Sequence, residues 1–191
     1  MTDQTILWQG KEIPVLTQTE VLVVGASFPG VCAALASQRA GAQTLIIEKG
    51  GVIGGQAANI HTWGLDGFFM KNGKQIIFGL PWEILCDTVK EGGSDPMWEM
   101  NLDLMQREGI KAALLDFGCE PFARNAGTEY YQLNPLNNTY VNPNAYRYIC
   151  LKKLKEAGVP TLLDTPLVDT LLDEAGNVIG VVVLNAFRHL A

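Results

Sequence analysis

The stretch Glu20–Glu48, EVLVVGASFPGVCAALASQRAGAQTLIIE, decides the fold of this 191-residue chain. Its first apolar run, Glu20–Val24, stops at a glycine, as is typical of a parallel strand covered on both faces. Small and apolar residues over Pro29–Arg39 predict a helix, and Gly41 stands where a left-handed cap is expected. A second buried strand, Thr44–Glu48, follows. This order predicts a right-handed, parallel βαβ unit.

The turn between the first strand and the helix resembles a phosphate-binding turn. Such a turn needs glycine at three positions: for a tight bend, for close approach of a pyrophosphate and for helix packing. These positions are occupied here by Gly25, Ser27 and Gly30, so the middle glycine is replaced by serine. Serine at the middle position either donates a hydrogen bond to a phosphate or pushes it away. Glu48, 23 residues after Gly25, stands where a carboxylate accepts hydrogen bonds from ribose hydroxyls. The pattern predicts a dinucleotide site; the alternative is that the glycines only permit packing and Glu48 is a surface charge.

The residues after Glu48 favour FAD over a nicotinamide cofactor. Lys49–Ala58, KGGVIGGQAA, places two glycine pairs directly beyond the expected ribose contact. A glycine-rich loop there offers backbone N–H groups to a pyrophosphate and a flavin, and lets the chain pass close to the ring. The usual nicotinamide fold has no role for such a loop.

Two stretches, Glu20–Ala58 and Asn142–Leu184, resemble the N-terminal part of FAD-dependent oxidoreductases related to the fumarate reductase and succinate dehydrogenase flavoproteins. The resemblance implies an α/β fold, with a Rossmann-like FAD/NAD(P)-binding βαβ core, a parallel sheet, a helical excursion and a C-terminal β-hairpin. It implies pyrophosphate contacts from the glycine turn, a ribose contact from Glu48, flavin contacts from the second glycine pair and an adenine contact near Leu167. The cofactor-binding residues expected in this way are Gly25, Ser27, Pro29, Gly30, Glu48, Lys49, Gly54, Gly55, Gln56 and Leu167.

The resemblance also predicts that the chain is a truncated or split flavoprotein module. Family members continue well beyond this length, and the strand that completes their flavin site would begin soon after Leu184. We therefore expect a single, incomplete FAD-binding domain over residues 1–191, with an inserted helical segment at about 60–140. A second chain completing the FAD site is the expected partner.

Other elements are indicated by local signals. Thr5–Pro14 is interpreted as a lead-in to the first strand, with Leu7 and Trp8 as its expected anchors. Apolar residues at helical spacing predict a helix that begins at Pro81 and is stopped by Gly92-Gly93, and Asn142-Pro143 predicts the start of another that Gly158 ends. The runs Leu167–Leu172 and Val178–Leu184, joined by a glycine-bearing turn, predict a β-hairpin.

Composition excludes several classes of function. A net charge of −6 and a pI near 4.9 argue against nucleic-acid binding, which needs clustered Lys and Arg. The one tight basic run, Lys152, Lys153 and Lys155, is interpreted as a solvated helix face. No segment has the roughly 18 apolar residues of a membrane span, so we expect a cytoplasmic protein without membrane contact. The four cysteines form no C-x-x-C pair, so reduced thiols and no metal site are expected.

Two further motifs are candidate catalytic signals. His61 follows the second glycine pair and is the candidate proton donor, with an ordinary loop histidine as the alternative. Tyr148 and Lys152 match the Y-x-x-x-K pair of short-chain dehydrogenases, but the glycine pattern of those enzymes is absent, so coincidence is favoured. Two alternatives to an FAD-binding oxidoreductase stay open: an NAD(P)-dependent dehydrogenase, and a non-catalytic remnant or partner subunit.

Overall fold

The computed structural model describes residues 4–59, 64–66, 68, 76–91, 138–140 and 142–184. His61 and most of the segment expected to be a helical excursion lie outside these residues. The described elements are β1 (Thr5–Trp8), β2 (Lys11–Pro14), β3 (Val21–Val24), α1 (Phe28–Arg39), β4 (Thr44–Ile47), α2 (Gln56–Asn59), β5 (Gly64–Asp66), α3 (Leu80–Lys90), β6 (Asn138–Tyr140), α4 (Pro143–Glu156), β7 (Thr161–Leu162), β8 (Leu167–Leu172) and β9 (Val178–Val183).

A parallel sheet in the order β3-β4-β7 forms the centre of the fold. Strand β3 pairs with β4 over its whole length, from Val21 opposite Thr44 to Val24 opposite Ile47. All four residues of β4 are buried, as expected of a parallel strand that contains the apolar run Leu45–Ile47. Helix α1 connects the two strands. The predicted α/β fold with a Rossmann-like βαβ core is therefore confirmed.

Helices α1, α3 and α4 pack against one another beside the sheet. Their shared interior is apolar and includes Leu35 of α1, Ile84 and Leu85 of α3, and Ile149 and Leu154 of α4, all buried. Burying such side chains is the main source of stability for a small domain. This packing holds the N-terminal end of α1 in a fixed position relative to α4.

The ends of the long helices follow the predicted signals. The Asn142 side chain accepts a hydrogen bond of 2.9 Å from the Asn144 N–H, which caps α4. Gly158 has φ +72° just after the end of α4, and Gly41 has φ +94° just after the end of α1. Glycine adopts this left-handed conformation at little cost, so both helices stop where the sequence indicated.

One ion-pair network corrects the interpretation of the basic run. Lys152 and Lys155 are exposed as expected, but the Lys153 side chain is only 11% exposed. Its Nζ lies 2.7 Å from Oε1 of Glu83, and it also pairs with Asp87. Lys153 points from α4 to α3 because this position of the helix faces the neighbouring helix and not the solvent.

The N-terminal segment has a regular structure that the sequence analysis does not predict. Residues interpreted as a lead-in form an antiparallel hairpin, β1–β2, in which Trp8 pairs with Lys11. Its two-residue turn consists of Gln9 and Gly10, both at positive φ (48° and 76°), as in the tight turns that suit the twist of a hairpin. The Trp8 indole donates a hydrogen bond of 2.8 Å to Asp169 of β8.

The C-terminal hairpin is confirmed. Strands β8 and β9 pair antiparallel, with Thr170 opposite Val181 and two register irregularities. The Asp173 carboxylate accepts hydrogen bonds from the Ala175 and Asn177 amides and so closes the turn. Many apolar side chains of this hairpin are exposed, including Leu172, Val178 and Ile179.

A membrane span and a metal site are both absent from the described ranges. No helix there is long and apolar enough to cross a membrane. Nor does that part of the chain bring together three His, Cys, Asp or Glu side chains in a way that could hold a metal ion.

Cys32, Cys86 and Cys150 are free thiols. Burial raises the pKa of Cys32 and Cys86 to about 11 and that of Cys150 to about 12, so all three stay protonated at neutral pH.

Candidate functional site

The chain bends sharply where β3 ends. Gly25 has φ +100°, a conformation that residues with a side chain rarely adopt. Its N–H donates to the Ile47 carbonyl over 2.8 Å, so the bend stays hydrogen-bonded to the end of β4. Beyond it, Ala26 is fully buried. The bend therefore lies at the carboxyl edge of the parallel sheet, where open α/β sheets bind their ligands.

Helix α1 packs directly on this bend. A Cβ at Gly30 would lie 1.9 Å from the Gly25 carbonyl oxygen. Real Cβ atoms do not approach a backbone oxygen so closely, and a backbone atom at this position cannot rotate away. Glycine is thus required at position 30 by helix-on-strand packing.

The N-terminal end of α1 presents donors that the helix itself does not use. Its first hydrogen bond, 2.8 Å from the Val31 N–H to the Ser27 carbonyl, leaves the earlier amides of Phe28 and Gly30 without an intrahelical acceptor. Pro29, between them, has no N–H. Ser27 is the N-cap residue, yet its hydroxyl makes no capping hydrogen bond. Free amides and the positive end of the helix dipole together favour an anion here.

Glu48 lies beside the bend. Its Oε2 accepts a hydrogen bond of 2.8 Å from the Ala26 N–H, and its Oε1 accepts one of 2.9 Å from the Gly50 N–H. Each carboxylate oxygen can accept a second hydrogen bond, so the group keeps the capacity to hold two further donors. The neighbouring Lys49 is exposed. The carboxylate thus lies at the same edge of the sheet as the helix N-terminus.

The second glycine pair folds onto the same bend. The Gly54 N–H donates to the Ala26 carbonyl over 2.7 Å, and both Gly54 and Gly55 have positive φ, at 101° and 64°. A Cβ at Gly55 would lie 3.0 Å from the Cβ of Ser27. We call residues 50–55 the second glycine loop. It lies against Ser27, so the serine Cβ occupies space next to Gly55.

A short turn after β7 holds this region from the other side. The Thr165 N–H donates to the Glu48 carbonyl over 2.8 Å, and the Asp164 N–H donates to the Gly50 carbonyl over 3.1 Å. Asp164 has φ +49°, which Asp tolerates better than most residues. Leu167, the first residue of β8, lies three positions after Asp164. Sequence reasoning missed Asp164 and Thr165, although an Asp at the end of an apolar run is a usable turn signal.

The structure brings most of the sequence-predicted residues together. The glycine bend, the start of α1, the end of β4 and the second glycine loop meet at one edge of the sheet. Tyr148 and Lys152 are elsewhere: Tyr148 is exposed on α4, and Nζ of Lys152 lies 5.9 Å from its ring centroid, over the ring. The residues at the edge are Gly25, Ser27, Pro29, Gly30, Glu48, Lys49, Gly54, Gly55 and Gln56.

A family model described as FAD dependent oxidoreductase matches residues 20–189. No curated protein matches the sequence.

Several solved structures are similar to the chain. A flavocytochrome c3 fumarate reductase is 23% identical with a TM-score of 0.46, and the match covers 86% of this chain and 30% of that protein. A 3-ketosteroid-delta4-(5alpha)-dehydrogenase from Rhodococcus jostii is 18% identical with a TM-score of 0.44, covering 88% and 42%. An L-amino acid deaminase from Proteus vulgaris is 16% identical with a TM-score of 0.47, covering 92% and 46%. The chain spans less than half the length of each of these three proteins.

Proposed function

Because the chain belongs to the FAD-dependent oxidoreductase family, we propose that it binds the ADP half of FAD at the glycine bend, the start of α1 and Glu48. In this proposal the amides of Phe28 and Gly30 and the Ser27 hydroxyl bind the diphosphate, and Glu48 binds the adenosine ribose. Bound FAD supplies hydride or electron-pair transfer through its flavin ring. The chain's own residues bind the cofactor and orient it.

The residues at the edge of the sheet fit a nucleoside diphosphate. A dianionic group is favoured where unused helix amides and a free hydroxyl point from one helix end. The observation that carries the proposal is the hydrogen bond between Glu48 and the Ala26 amide, because it fixes a carboxylate directly beside that anion site. The family match favours neither alternative raised from the sequence, an NAD(P)-dependent dehydrogenase or a non-catalytic partner subunit.

A closer relationship to the fumarate reductase and succinate dehydrogenase flavoproteins is part of the same proposal. The resemblance of Glu20–Ala58 and Asn142–Leu184 supports it. Contacts of Gly54, Gly55 and Gln56 with the flavin, and of the Leu167 backbone with the adenine, are proposed on the same grounds. A cytoplasmic location and a second chain that completes the site stay predictions.

The Glu48→Ala variant tests the proposal. Loss of two hydrogen bonds from ribose hydroxyls to a charged acceptor should weaken FAD binding by about tenfold or more. Glu48→Gln keeps an acceptor oxygen without the charge, so its affinity for FAD should lie between those of Glu48→Ala and the unsubstituted chain. Quenching of FAD fluorescence on titration with each purified variant measures the dissociation constant.

Glu20→Ala is the matched control. Glu20 also accepts a backbone hydrogen bond, 2.7 Å from the Gln43 N–H, but it stands just before β3, at the opposite edge of the sheet. Its removal should cost some stability and leave FAD affinity unchanged. An E48A variant that binds FAD as tightly as the unsubstituted chain would remove Glu48 from the site.

A further inference from the structure

Tyr146 of α4 is a buried side chain whose hydroxyl contacts the second glycine loop. It is 0% exposed, and its hydroxyl donates a hydrogen bond of 3.2 Å to the Gly54 carbonyl. Its ring packs edge-on against the Phe28 ring, with centroids 5.8 Å apart and planes at 68°. Phe28 is the first residue of α1. One side chain therefore contacts both the start of α1 and the loop opposite it.

Gly54 is held from two directions. Its N–H donates to Ala26 of the bend over 2.7 Å, and its carbonyl accepts from Tyr146. A Cβ at Gly54 would lie 2.9 Å from Cε1 of Tyr146, so the ring and the backbone are in direct contact. The separation between the second glycine loop and the N-terminus of α1 is therefore set by Tyr146 on one side and Ala26 on the other.

The phenol acts as a permanent donor. Desolvation by burial, followed by the neighbouring Cys150 thiol, raises the pKa of Tyr146 far above its ordinary value of 10. The hydroxyl therefore keeps its proton at neutral pH. A buried hydroxyl that lost its acceptor would be costly, which favours the loop conformation that supplies one.

We propose that Tyr146 is a positioning residue for FAD: its hydroxyl and ring hold the second glycine loop at the spacing from α1 that the cofactor requires. This inference rests on the proposed function. Tyr146 does not touch the cofactor in it, and acts through Gly54 and Phe28. Neither Gly54 nor Phe28 can shift without moving the Tyr146 ring or breaking its hydrogen bond.

Tyr146→Phe tests the inference, because it removes the hydroxyl and keeps the ring. Losing one neutral hydrogen bond should raise the dissociation constant for FAD about three- to tenfold. The visible circular dichroism of the bound flavin should change, because the loop beside it shifts. Without FAD, amide hydrogen exchange over residues 52–58 should become faster while that of the β1–β2 hairpin stays the same. Tyr148→Phe, on the exposed face of the same helix, is the matched control and should change none of these.

The outcomes separate this inference from the proposed function. If the unsubstituted chain binds no FAD, the proposed function fails, and this inference fails with it. If the unsubstituted chain binds FAD and Y146F shows the same affinity, flavin dichroism and loop exchange, only the positioning role is overturned. A lower melting temperature of Y146F without a change in those three measurements would show that Tyr146 is a packing residue alone.

Discussion

Ser27 occupies the position where a dinucleotide turn ordinarily has its middle glycine. Its backbone, φ −71° and ψ 174°, is an extended conformation that any residue adopts, so glycine is not required by geometry. The side chain lies between α1 and the second glycine loop, with its Cβ against Gly55. Its hydroxyl makes no cap hydrogen bond and is free to donate to an anion at the helix end.

Two substitutions separate the roles of the hydroxyl and the Cβ. Ser27→Ala keeps the Cβ and should weaken FAD binding by about tenfold, the usual effect of losing one hydrogen bond to a charged group. Ser27→Gly removes both and should bind no better than S27A. Titration with FAD, followed by fluorescence, gives both dissociation constants. Tighter binding by S27G than by the unsubstituted chain would mean that the Cβ obstructs the phosphate.

Residues of the candidate site differ in how well sequence predicts them. Gly25 and Glu48 belong to a local pattern of fixed spacing, so the sequence alone is enough to identify them. Tyr146 and Asp164 could not be identified in this way, because each reaches the site through packing between segments that are distant in sequence. Tyr146 is one of two tyrosines on α4, and the turn signal at Asp164 does not indicate which loop the turn contacts.

Three helices are joined by an ion-pair network centred on Glu83 of α3. Arg39 of α1 donates two hydrogen bonds to its carboxylate, of 2.9 and 2.8 Å, and Lys153 of α4 donates a third of 2.7 Å. The hydrogen bonds from Arg39 are the largest cause that lowers the pKa of Glu83 from 4.5 to about 2. The network is partly exposed, with 36% of the Glu83 side chain accessible, so solvent screens it.

This network predicts an acid-dependent loss of stability. A folded-state pKa below the unfolded value means that the charged network stabilises the fold above pH 4.5 and is lost as the pH falls towards about 2. At pH 7, Glu83→Gln should lower the free energy of unfolding by about 1 kcal/mol, within the range of screened ion pairs. That difference should shrink between pH 4.5 and 2 in urea unfolding curves.

Glu91→Gln is the control for that experiment, since Glu91 is exposed just beyond the end of the same helix. It should change stability little at any pH. If the difference in unfolding free energy between Glu83→Gln and the unsubstituted chain stays constant from pH 7 to pH 2, Glu83 stabilises the fold by packing and not by charge.

Elements with strong end signals were predicted well. Helix α4 has an Asn cap, a proline in its first turn and a glycine after its end, and its bounds follow from these three residues. The β1–β2 hairpin was missed because its strands are four residues long and its turn, Gln9-Gly10, lacks the Asn or Asp that usually marks such turns. Strand β7 pairs with β4 through only two residue pairs, and so short a strand has too little pattern for its position in the sheet to be predicted.

At the scale of the molecule, the order of elements was enough to predict the α/β class, because strand, helix and strand of this length pack in one way. The order does not predict that α4 and the turn after β7, which are distant in sequence, contact the site. The turn at Asp164 and Thr165 is hydrogen-bonded to Glu48 and Gly50, and Tyr146 on the buried face of α4 is hydrogen-bonded to Gly54. Ligand binding should therefore be coupled to the stability of the whole described fold.

Thermal unfolding tests this coupling. FAD at about 100 times its dissociation constant should stabilise the folded chain by about 2.7 kcal/mol. For a chain of this size, that corresponds to a rise in melting temperature of roughly 5–10 °C. ADP carries the diphosphate and the adenosine ribose, so it should give part of this rise. FMN lacks that ribose, so it should give little at equal concentration.

The comparison of ligands decides which part of FAD the chain recognises. Glu48→Ala should lose most of the rise with FAD and with ADP, because both ligands present the same ribose to the carboxylate. Glu20→Ala should keep the full rise in melting temperature, since the Glu20 carboxylate that it removes lies at the other edge of the sheet. An equal rise with FMN and with FAD would place recognition at the flavin end. The glycine bend and Glu48 would then be packing features of the sheet.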